Sequence, residues 1–237
     1  MICRGILFDK DGTLIESHDV WAPLYRSMLM RMKGLSENAA NALLAQAGYD
    51  VEQDRVVGGS VIAGGTTAQL VQLWWPHATA AEREDIVMSI DATDKQAQAL
   101  EVTAIVALKP LLEKLRQKGL RLGVATNDSL ASSNRHLSQL GILELFDVVI
   151  CADTVATPKP AGDMIRKFAE LTDISAHEIM MIGDNHHDMD EAANGGAGFR
   201  VAVLSGNSSR AELTEIADVV LNDIGELPEH LEVLGVL

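Results

Sequence analysis

Residues 3–14 read CRGILFDKDGTL, and both the fold and the chemistry of the chain follow from this stretch. The apolar run that ends at Phe8 predicts a β-strand, and Gly12 and Thr13 end it with a turn. Two carboxylates, Asp9 and Asp11, therefore stand directly after the strand. Ligands of open parallel sheets bind beyond the carboxyl ends of the strands, so this stretch predicts a polar site at one edge of a sheet.

The chain after Pro110 alternates between predicted helices and predicted strands. Apolar runs predict strands at residues 120–125, 148–150, 179–182, 199–204 and 219–221. A helical pattern precedes the first of these runs, at residues 111–118, and two more separate the next runs, at 129–140 and 165–171. Such alternation is typical of a parallel sheet with helices on both faces. The sequence therefore predicts an α/β fold with a doubly wound parallel sheet.

A stretch of different composition separates the first strand from the others. Residues 16–101 are rich in Ala, Met, Leu, Gln and Trp and follow a helical pattern almost throughout. Thr79 and Glu82 have the spacing of a capping box at a helix start. We therefore expect an all-helical inserted domain at 16–101 and a core domain made of residues 1–15 and 102–237.

Composition and charge exclude several classes of protein. The chain has 237 residues, of which 47% are hydrophobic, so it can bury a large core. The formal charge of −15 disfavours nucleic acid and anionic lipid as partners. We expect Cys3 and Cys151 to be reduced thiols. No cleavable signal precedes the first strand, and no apolar stretch approaches the ~20 residues that span a bilayer, so a cytoplasmic location is expected.

Polar side chains follow three further strands at the points where those strands end. Thr126-Asn127-Asp128 follow the second strand of the core, and Lys159 lies in the loop after the third. The fourth is followed by Gly183-Asp184 and, one helical turn later, by Asp188. Together with Asp9 and Asp11, these groups converge on one edge of the predicted sheet, which indicates a single active site.

These segments resemble, in order, the four motifs of the haloacid dehalogenase (HAD) superfamily, in its phosphoglycolate-phosphatase-like branch. Asp9-Lys10-Asp11-Gly12-Thr13-Leu14 is similar to the first and most specific motif. Thr126-Asn127 matches the second, Lys159 the third, and Gly183-Asp184 with Asp188 the fourth. The insert at 16–101 matches the helical cap of that family. The resemblance implies a Rossmann-like core and a magnesium-dependent phosphatase of small phosphorylated metabolites.

The resemblance also implies a ligand set for Mg²⁺, which prefers hard oxygen ligands. Asp9 and Asp184 would supply carboxylates, and Asp11 would supply its main-chain carbonyl. Asp188 would ligate through water or orient the other ligands.

The catalytic roles that the resemblance implies are consistent with the residue types. Asp9 would attack phosphorus, and Asp11 would act as general acid and then as general base. Thr126, with the main-chain N–H of Asn127, would bind phosphoryl oxygens, and Lys159 would supply a positive charge to the phosphoryl group and to Asp9. An acid at Asp11 favours phosphomonoesters over halides and phosphonates as substrates.

Three weaker signals surround these motifs. Side-chain alternation along a strand predicts that Lys10 points away from the catalytic face. His186 and His187 beside Asp188 suggest a zinc site, but no third His or Cys lies at a suitable spacing, so a polar loop that opens a helix is the alternative. Residues 59–66 lack the lysine of a P-loop and are interpreted as a mobile cap loop.

The cap supplies two candidate substrate contacts, Ser60 within that loop and Arg55 before it. Arg55 could instead be a surface residue that pairs with Glu52. Trp74 and Trp75 could line a pocket, although their spacing after Leu70 predicts that at least one belongs to the core of the cap.

The sequence therefore predicts a phosphatase that acts through an aspartyl-phosphate on Asp9, with phosphoglycolate or another small phosphomonoester as substrate. A sugar-phosphate mutase of the same fold is one alternative. A non-catalytic phosphate-binding or phospho-receiver protein is a second, although receivers are shorter and lack an insert after the first strand.

Overall fold

The computed structural model describes residues 2–16, 21–96 and 102–235. Its strands are β1 (Gly5–Phe8), β2 (Tyr49–Asp50), β3 (Arg55–Val56), β4 (Arg121–Thr126), β5 (Val148–Cys151), β6 (Ile179–Gly183), β7 (Phe199–Val203) and β8 (Val219–Leu221). Its helices are α1 (Trp21–Lys33), α2 (Glu37–Gln46), α3 (Val61–Gly64), α4 (Thr67–Trp74), α5 (Ala80–Gln96), α6 (Leu108–Gln117), α7 (Leu130–Gln139), α8 (Asp163–Thr172), α9 (His186–Gly195), α10 (Arg210–Thr214) and α11 (Leu227–Val233).

The core is a six-stranded sheet in the order β5-β4-β1-β6-β7-β8. Every neighbouring pair in it is parallel, and β1 lies between β4 and β6. This confirms the predicted α/β fold, and each predicted strand lies within two residues of its observed bounds. The arrangement places the carboxyl end of β1 at the centre of one edge of the sheet.

Both faces of the sheet are covered, because successive side chains of the central strand enter different cores. Ile6 and Phe8 pack into the cluster that contains Leu112 and Leu115 of α6. Leu7, between them, packs into the cluster that contains Phe168 of α8. This division is what the period of two along a strand requires when helices lie on both sides.

The insert has a hydrophobic cluster of its own, whose fully buried members lie between Ala22 and Ile90. Trp74 is buried there and donates from Nε1 to the Leu43 carbonyl at 2.9 Å, which confirms its expected place in the core of the cap. The capping box is also present, since Thr79 N donates to Glu82 Oε2 at 2.7 Å. The separate cluster supports the proposed division into a core and an inserted domain.

The all-helical insert expected from the sequence is corrected by one feature of its described residues, a short β-hairpin. Strands β2 and β3 pair antiparallel, with Tyr49 opposite Val56. Asp54 adopts φ of 51° in the turn between them. Two residues per strand give no periodicity that a sequence pattern could reveal.

Within the described ranges, no helix combines the length and the apolarity that a membrane span requires.

One buried carboxylate, that of Glu191 in α9, holds the start of α8. Its Oε1 accepts from the main-chain N–H groups of Met164 and Ile165 at 2.9 and 3.0 Å. Its Oε2 accepts from Gly162 N at 2.7 Å, and the side chain is fully buried. The first N–H groups of a helix have no acceptor within the helix. The carboxylate supplies acceptors to buried donors that would otherwise have none. The loop that carries Lys159 ends at these same residues.

We expect Glu191→Gln to lower the free energy of unfolding by about 1.5–3 kcal/mol, the range for a buried hydrogen bond to a charged group. The substitution keeps the shape of the side chain but turns an NH₂ group towards N–H donors. Thermal and denaturant unfolding would measure the change. Asp190→Asn, at an exposed position of the same helix, is the matched control. An unchanged unfolding midpoint for Glu191→Gln would contradict this role.

Candidate active site

The site lies where the three central strands of the sheet end. Phe8, the last residue of β1, stands in register with Val124 of β4 and Ile182 of β6. The residues that follow these positions are therefore neighbours across the sheet. Asp9 N donates to the Ile182 carbonyl at 2.8 Å, which fixes the start of the loop after β1 against β6.

Three buried carboxylates form a cluster at this edge. Asp9, Asp184 and Asp188 each present an oxygen within 4.8 Å of the others. Asp184 follows β6, and Asp188 lies in the first turn of α9, where its Oδ2 accepts from Asn185 N at 3.0 Å. Oxygen donors from several carboxylates are the ligands that Mg²⁺ prefers. Asn185, whose side chain caps α9, lies between the two acids and holds that geometry.

Two glycines let the backbone approach Asp184 closely. Gly12 has φ of +83°, and a Cβ there would lie 2.7 Å from the Asp184 carboxylate. A Cβ on Gly206 would lie 1.7 Å from Asp184 Oδ2. Asn207 N, beside Gly206, donates to that oxygen at 3.1 Å. Glycine is therefore required at positions 12 and 206, because a larger side chain at either one would overlap the carboxylate of Asp184.

Burial and mutual repulsion perturb the acids of this cluster. Burial, opposed by Lys159 and assisted by Asp188, raises the pKa of Asp9 to about 7. Burial also raises the pKa of Asp184 well above its ordinary value, and the charges of Asp9 and Asp188 raise it further. Like charges held together in a low dielectric disfavour ionisation unless a cation compensates them. The donor set and its excess of negative charge fit a divalent cation.

Lys159 supplies a positive charge to the same cluster. Its Nζ donates to Asp9 Oδ1 at 2.8 Å and to Asp188 Oδ1 at 2.5 Å, and the side chain is 2% exposed. Burial alone would lower the pKa of Lys159, but the charges of Asp188 and Asp9 outweigh burial and raise it. Lys159 is therefore a fixed cation beside the expected nucleophile, as the sequence predicted for a phosphate site.

The side chain of Asn127 ties the loop of Lys159 to the insert. Its Oδ1 accepts from Lys159 N at 3.0 Å, and its Nδ2 donates to the Lys159 carbonyl at 3.2 Å. The same Nδ2 donates to the Gly64 carbonyl, at the end of α3, at 2.7 Å. Sequence reasoning assigned only the main-chain N–H of Asn127 to the site. The amide side chain also links the Lys159 loop of the core to Gly64 of the insert at the cavity.

Thr126 and Asp11 also line the cavity. Thr126 is buried, and its Oγ1 accepts from Asp128 N at 3.2 Å. Asp11 Oδ2 lies 2.7 Å from the Nζ of Lys10. Burial alone would lower the pKa of Lys10, but the charges of Asp11 and Asp128 outweigh burial and raise it. Lys10 itself is absent from the cavity wall, in line with the expectation that it points away from the catalytic face.

The insert forms the opposite wall of the cavity, and the described residues of that wall are uncharged. The cavity encloses about 740 Å³ of atom-free space, part of it open to solvent. Its wall on this side consists of hydrophobic, glycine and hydroxyl residues: Tyr25, Val56, Ile62, Ala63, Gly64, Gly65 and Thr67. Where the structure describes the insert, the carboxylates thus face apolar and neutral groups across the cavity.

The two substrate contacts expected from the insert lie apart from this wall. Arg55 is exposed, and its Nε donates to Gln53 Oε1 at 2.7 Å rather than to Glu52. Ser60 Oγ donates to the Val57 carbonyl at 2.6 Å. Neither residue is among those that line the cavity. A substrate contact for either one stays a prediction that would need a rearrangement of these side chains.

The adjacent histidines have different positions. His187 lines the cavity, and its Nδ1 lies 3.1 Å from Asn185 Oδ1. His186 is not part of the wall. Within the described residues, the group of side chains that could hold a metal contains Asp9, Asp184 and Asp188 and no histidine. This composition favours a hard cation over the zinc alternative.

Sequence reasoning placed Asp128 at this edge of the sheet without a role, and it missed Asn207. Both residues line the cavity, Asp128 after β4 and Asn207 after β7. The run Ser205-Gly206-Asn207-Ser208-Ser209 at the end of β7 is the signal that could have indicated the second, since it is one more polar segment at a carboxyl strand end.

Comparison with known proteins adds two curated relatives. The chain is 28% identical over 229 residues to a phosphoglycolate phosphatase of Pectobacterium atrosepticum, covering 94% of this chain and 90% of that one. It is 33% identical over 94 residues to the pyrophosphatase PpaX of Bacillus cereus, covering 40% of this chain and 43% of that protein. The second match therefore spans less than half the length of the relative.

Among solved structures, CbbY from Rhodobacter sphaeroides in complex with phosphate superposes with a TM-score of 0.67 at 21% identity. The superposition covers 96% of each chain. At this level of identity the likeness shows a shared fold.

The model of one protein family matches residues 3–196, a range that contains Asp9, Lys159, Asp184 and Asp188. The chain belongs to the haloacid dehalogenase-like hydrolases.

Proposed function

We propose that the chain is a magnesium-dependent phosphatase that hydrolyses a small phosphomonoester through an aspartyl-phosphate on Asp9. The observation that carries the proposal is the position of the Asp9 carboxylate, which lies at the end of the central strand, 2.8 Å from the ammonium group of Lys159 and beside two further buried carboxylates. A nucleophile, a fixed cation and a set of oxygen ligands are the parts that phosphoryl transfer requires.

Asp9 and Asp184, with the main-chain carbonyl of Asp11, would hold the magnesium ion, and Asp188 would orient that set. When bound, the ion would neutralise negative charge on the phosphate and favour the ionised form of Asp9. Lys159 adds a second positive charge from the protein itself. Thr126 and the main-chain N–H of Asn127 would donate to the phosphoryl oxygens.

The reaction would proceed in two steps. In the first, a carboxylate oxygen of Asp9 bonds to phosphorus while the bond from phosphorus to the ester oxygen breaks, and Asp11 gives a proton to the departing alcohol. In the second, a water oxygen bonds to phosphorus, its proton passes to Asp11, and the bond from Asp9 to phosphorus breaks. Inorganic phosphate leaves, and both carboxyl groups return to their initial states.

The walls of the cavity favour a substrate whose alcohol part is uncharged. Among the described residues that line the cavity, Lys159 is the only lysine or arginine, and its ammonium already donates to Asp9 and Asp188. Five aspartates line the same cavity, and the insert adds neutral groups. A second anionic group on the substrate would therefore be repelled. This argues for the ester of a neutral alcohol over phosphoglycolate, which the name of one relative suggests.

We also propose a cytoplasmic location. Cys3 and Cys151 are both free thiols in the structure, which is the state that a reducing compartment maintains.

Replacing Asp9 by Asn should reduce the release of phosphate from p-nitrophenyl phosphate at least about a thousandfold, because the amide is not a nucleophile. Wild-type protein with and without Mg²⁺, assayed for free phosphate, provides the reference. Substantial turnover by the variant would rule out Asp9 as the nucleophile. With a hexose phosphate as substrate, an isomer formed without free phosphate would point to the mutase instead.

Metal-free protein should lose thermal stability as the pH rises from about 4 to 7, and Mg²⁺ should restore it. Asp9 has a folded pKa of about 7 against an ordinary value of 3.8, so the folded state binds more protons than the unfolded state between these limits. The contribution of Asp9 to the free energy of unfolding is therefore fully present below pH 3.8, and it is lost as the pH rises to about 7.

The increase in melting temperature caused by Mg²⁺ should accordingly be larger at pH about 8 than at about 5. Asp184→Asn should abolish the increase, whereas Asp85→Asn, at an exposed position of α5, should leave it intact. An equal increase in wild type and Asp184→Asn would place the metal elsewhere.

Ethylene glycol monophosphate should have a kcat/KM about tenfold above that of phosphoglycolate, a factor that corresponds to about 1.4 kcal/mol. The two esters differ by one carboxylate in place of a hydroxymethyl group. Ile62→Arg, which adds a cation to the wall formed by the insert, should narrow the difference, and Ile62→Gln is the uncharged control. A preference for phosphoglycolate in the wild type would refute the proposed neutrality of the alcohol.

A further inference from the structure

Lys10 lies between the two acids of the first motif, and its side chain is fully buried. It ranks among the largest side chains that the described part of the protein removes from solvent. Moving an ammonium ion out of water costs several kcal/mol unless charged partners compensate the loss. The position of Lys10 therefore depends on the groups around its Nζ.

The polar side chains near that nitrogen include those of two aspartates and a histidine. Asp11 Oδ2 lies at 2.7 Å, Asp128 Oδ2 at 3.0 Å and His136 Nδ1 at 3.3 Å. Asp128 belongs to the loop after β4, and His136 belongs to α7. The ammonium group thus contacts Asp11 from the buried side of that residue and not from the cavity.

Asp11 has one oxygen in contact with Lys10, and the residue as a whole lines the cavity. Its side chain is 23% exposed, whereas that of Lys10 is not exposed. Contact at Oδ2 restricts the orientation of the carboxyl group, and Oδ1 takes no part in that ion pair. An unanchored aspartate at the edge of a cavity would instead sample several side-chain orientations.

We propose that Lys10 is a positioning residue for Asp11, one that holds the carboxyl group in the orientation from which it exchanges a proton with the leaving group. The inference rests on the proposed phosphatase function. In the first step Asp11 transfers a proton to the ester oxygen while the bond from that oxygen to phosphorus breaks. The carboxylate that remains is then paired with the ammonium group of Lys10, so the contact strengthens as the proton leaves.

This role makes the effect of Lys10 depend on the leaving group. An alkoxide is a poor leaving group and needs the proton of Asp11, whereas p-nitrophenolate departs with little assistance. A lysine that only joined β1 to α7 would affect both classes of ester equally. The ratio of the two activities therefore separates positioning from a purely structural role.

The test compares Lys10→Met with the wild type at saturating Mg²⁺. We expect kcat/KM for ethylene glycol monophosphate to fall at least about tenfold more than kcat/KM for p-nitrophenyl phosphate. In an Asp11→Asn background, the same substitution should cause no further selective loss, because the group that it positions is gone. Equal losses for both esters, or a selective loss that persists in that background, would overturn the proposal.

Lys10→Met leaves Asp128 buried beside an apolar group and can impair folding. The double variant Lys10→Met with Asp128→Asn removes that charge as well and is assayed in place of the single variant if the single variant does not fold. Thermal unfolding establishes which variant is folded, and the ratio of the two activities is read from it. If wild type releases phosphate from neither ester, the proposed function fails. If wild type is active but the folded variant shows an unchanged ratio, only the role of Lys10 fails.

Discussion

The repulsion among three buried carboxylates is the constraint on which the rest of the site depends. Asp9, Asp184 and Asp188 lie within 4.8 Å of one another, out of water, and Lys159 brings one positive charge to them. Such a cluster opposes folding at neutral pH, because desolvation and like charge both favour the protonated forms. A hydrogen-bonded frame must therefore hold the acids in place, and a divalent cation would relieve the cost. The cluster that destabilises the fold is therefore the same cluster that could hold a metal ion.

That frame extends well beyond the acids themselves. Glu191 accepts three main-chain N–H groups where the loop of Lys159 joins α8. Asn127 binds the main chain of Lys159 on one side and the Gly64 carbonyl of the insert on the other. The side-chain amide of Asn127 therefore couples the Lys159 loop to the insert by hydrogen bonds. Any movement of the insert away from the cavity would break a hydrogen bond to the residue that also holds the Lys159 loop.

The sequence predicts those parts of the site that depend on strand ends. Asp9, Thr126 and Asp184 could be located because the carboxyl ends of parallel strands meet at one edge, whatever their sequence separation. Asn207 contributes a main-chain N–H, which any residue offers, so its position was marked only by the polar run at the end of β7 and not by its residue type. The hairpin of β2 and β3 is too short to show a period. The wall that the insert presents to the cavity depends on packing between distant helices, which local patterns do not encode.

The alternation of side chains along a strand predicted that Lys10 points away from the cavity, but it did not predict the contact of Lys10 with Asp11. Alternation along β1 turns its side chain away from the cavity, yet the turn that starts at Asp11 brings the carboxylate of that residue back to the ammonium group. Among the residues whose burial is described, two buried lysines each lie between two aspartates: Lys159 pairs with Asp9 and Asp188, and Lys10 pairs with Asp11 and Asp128. Asp9 and Asp11 are two residues apart, and each has its own ammonium partner. Separate partners let each acid keep its own orientation, which the proposed two-step reaction, with one nucleophile and one proton carrier, would require.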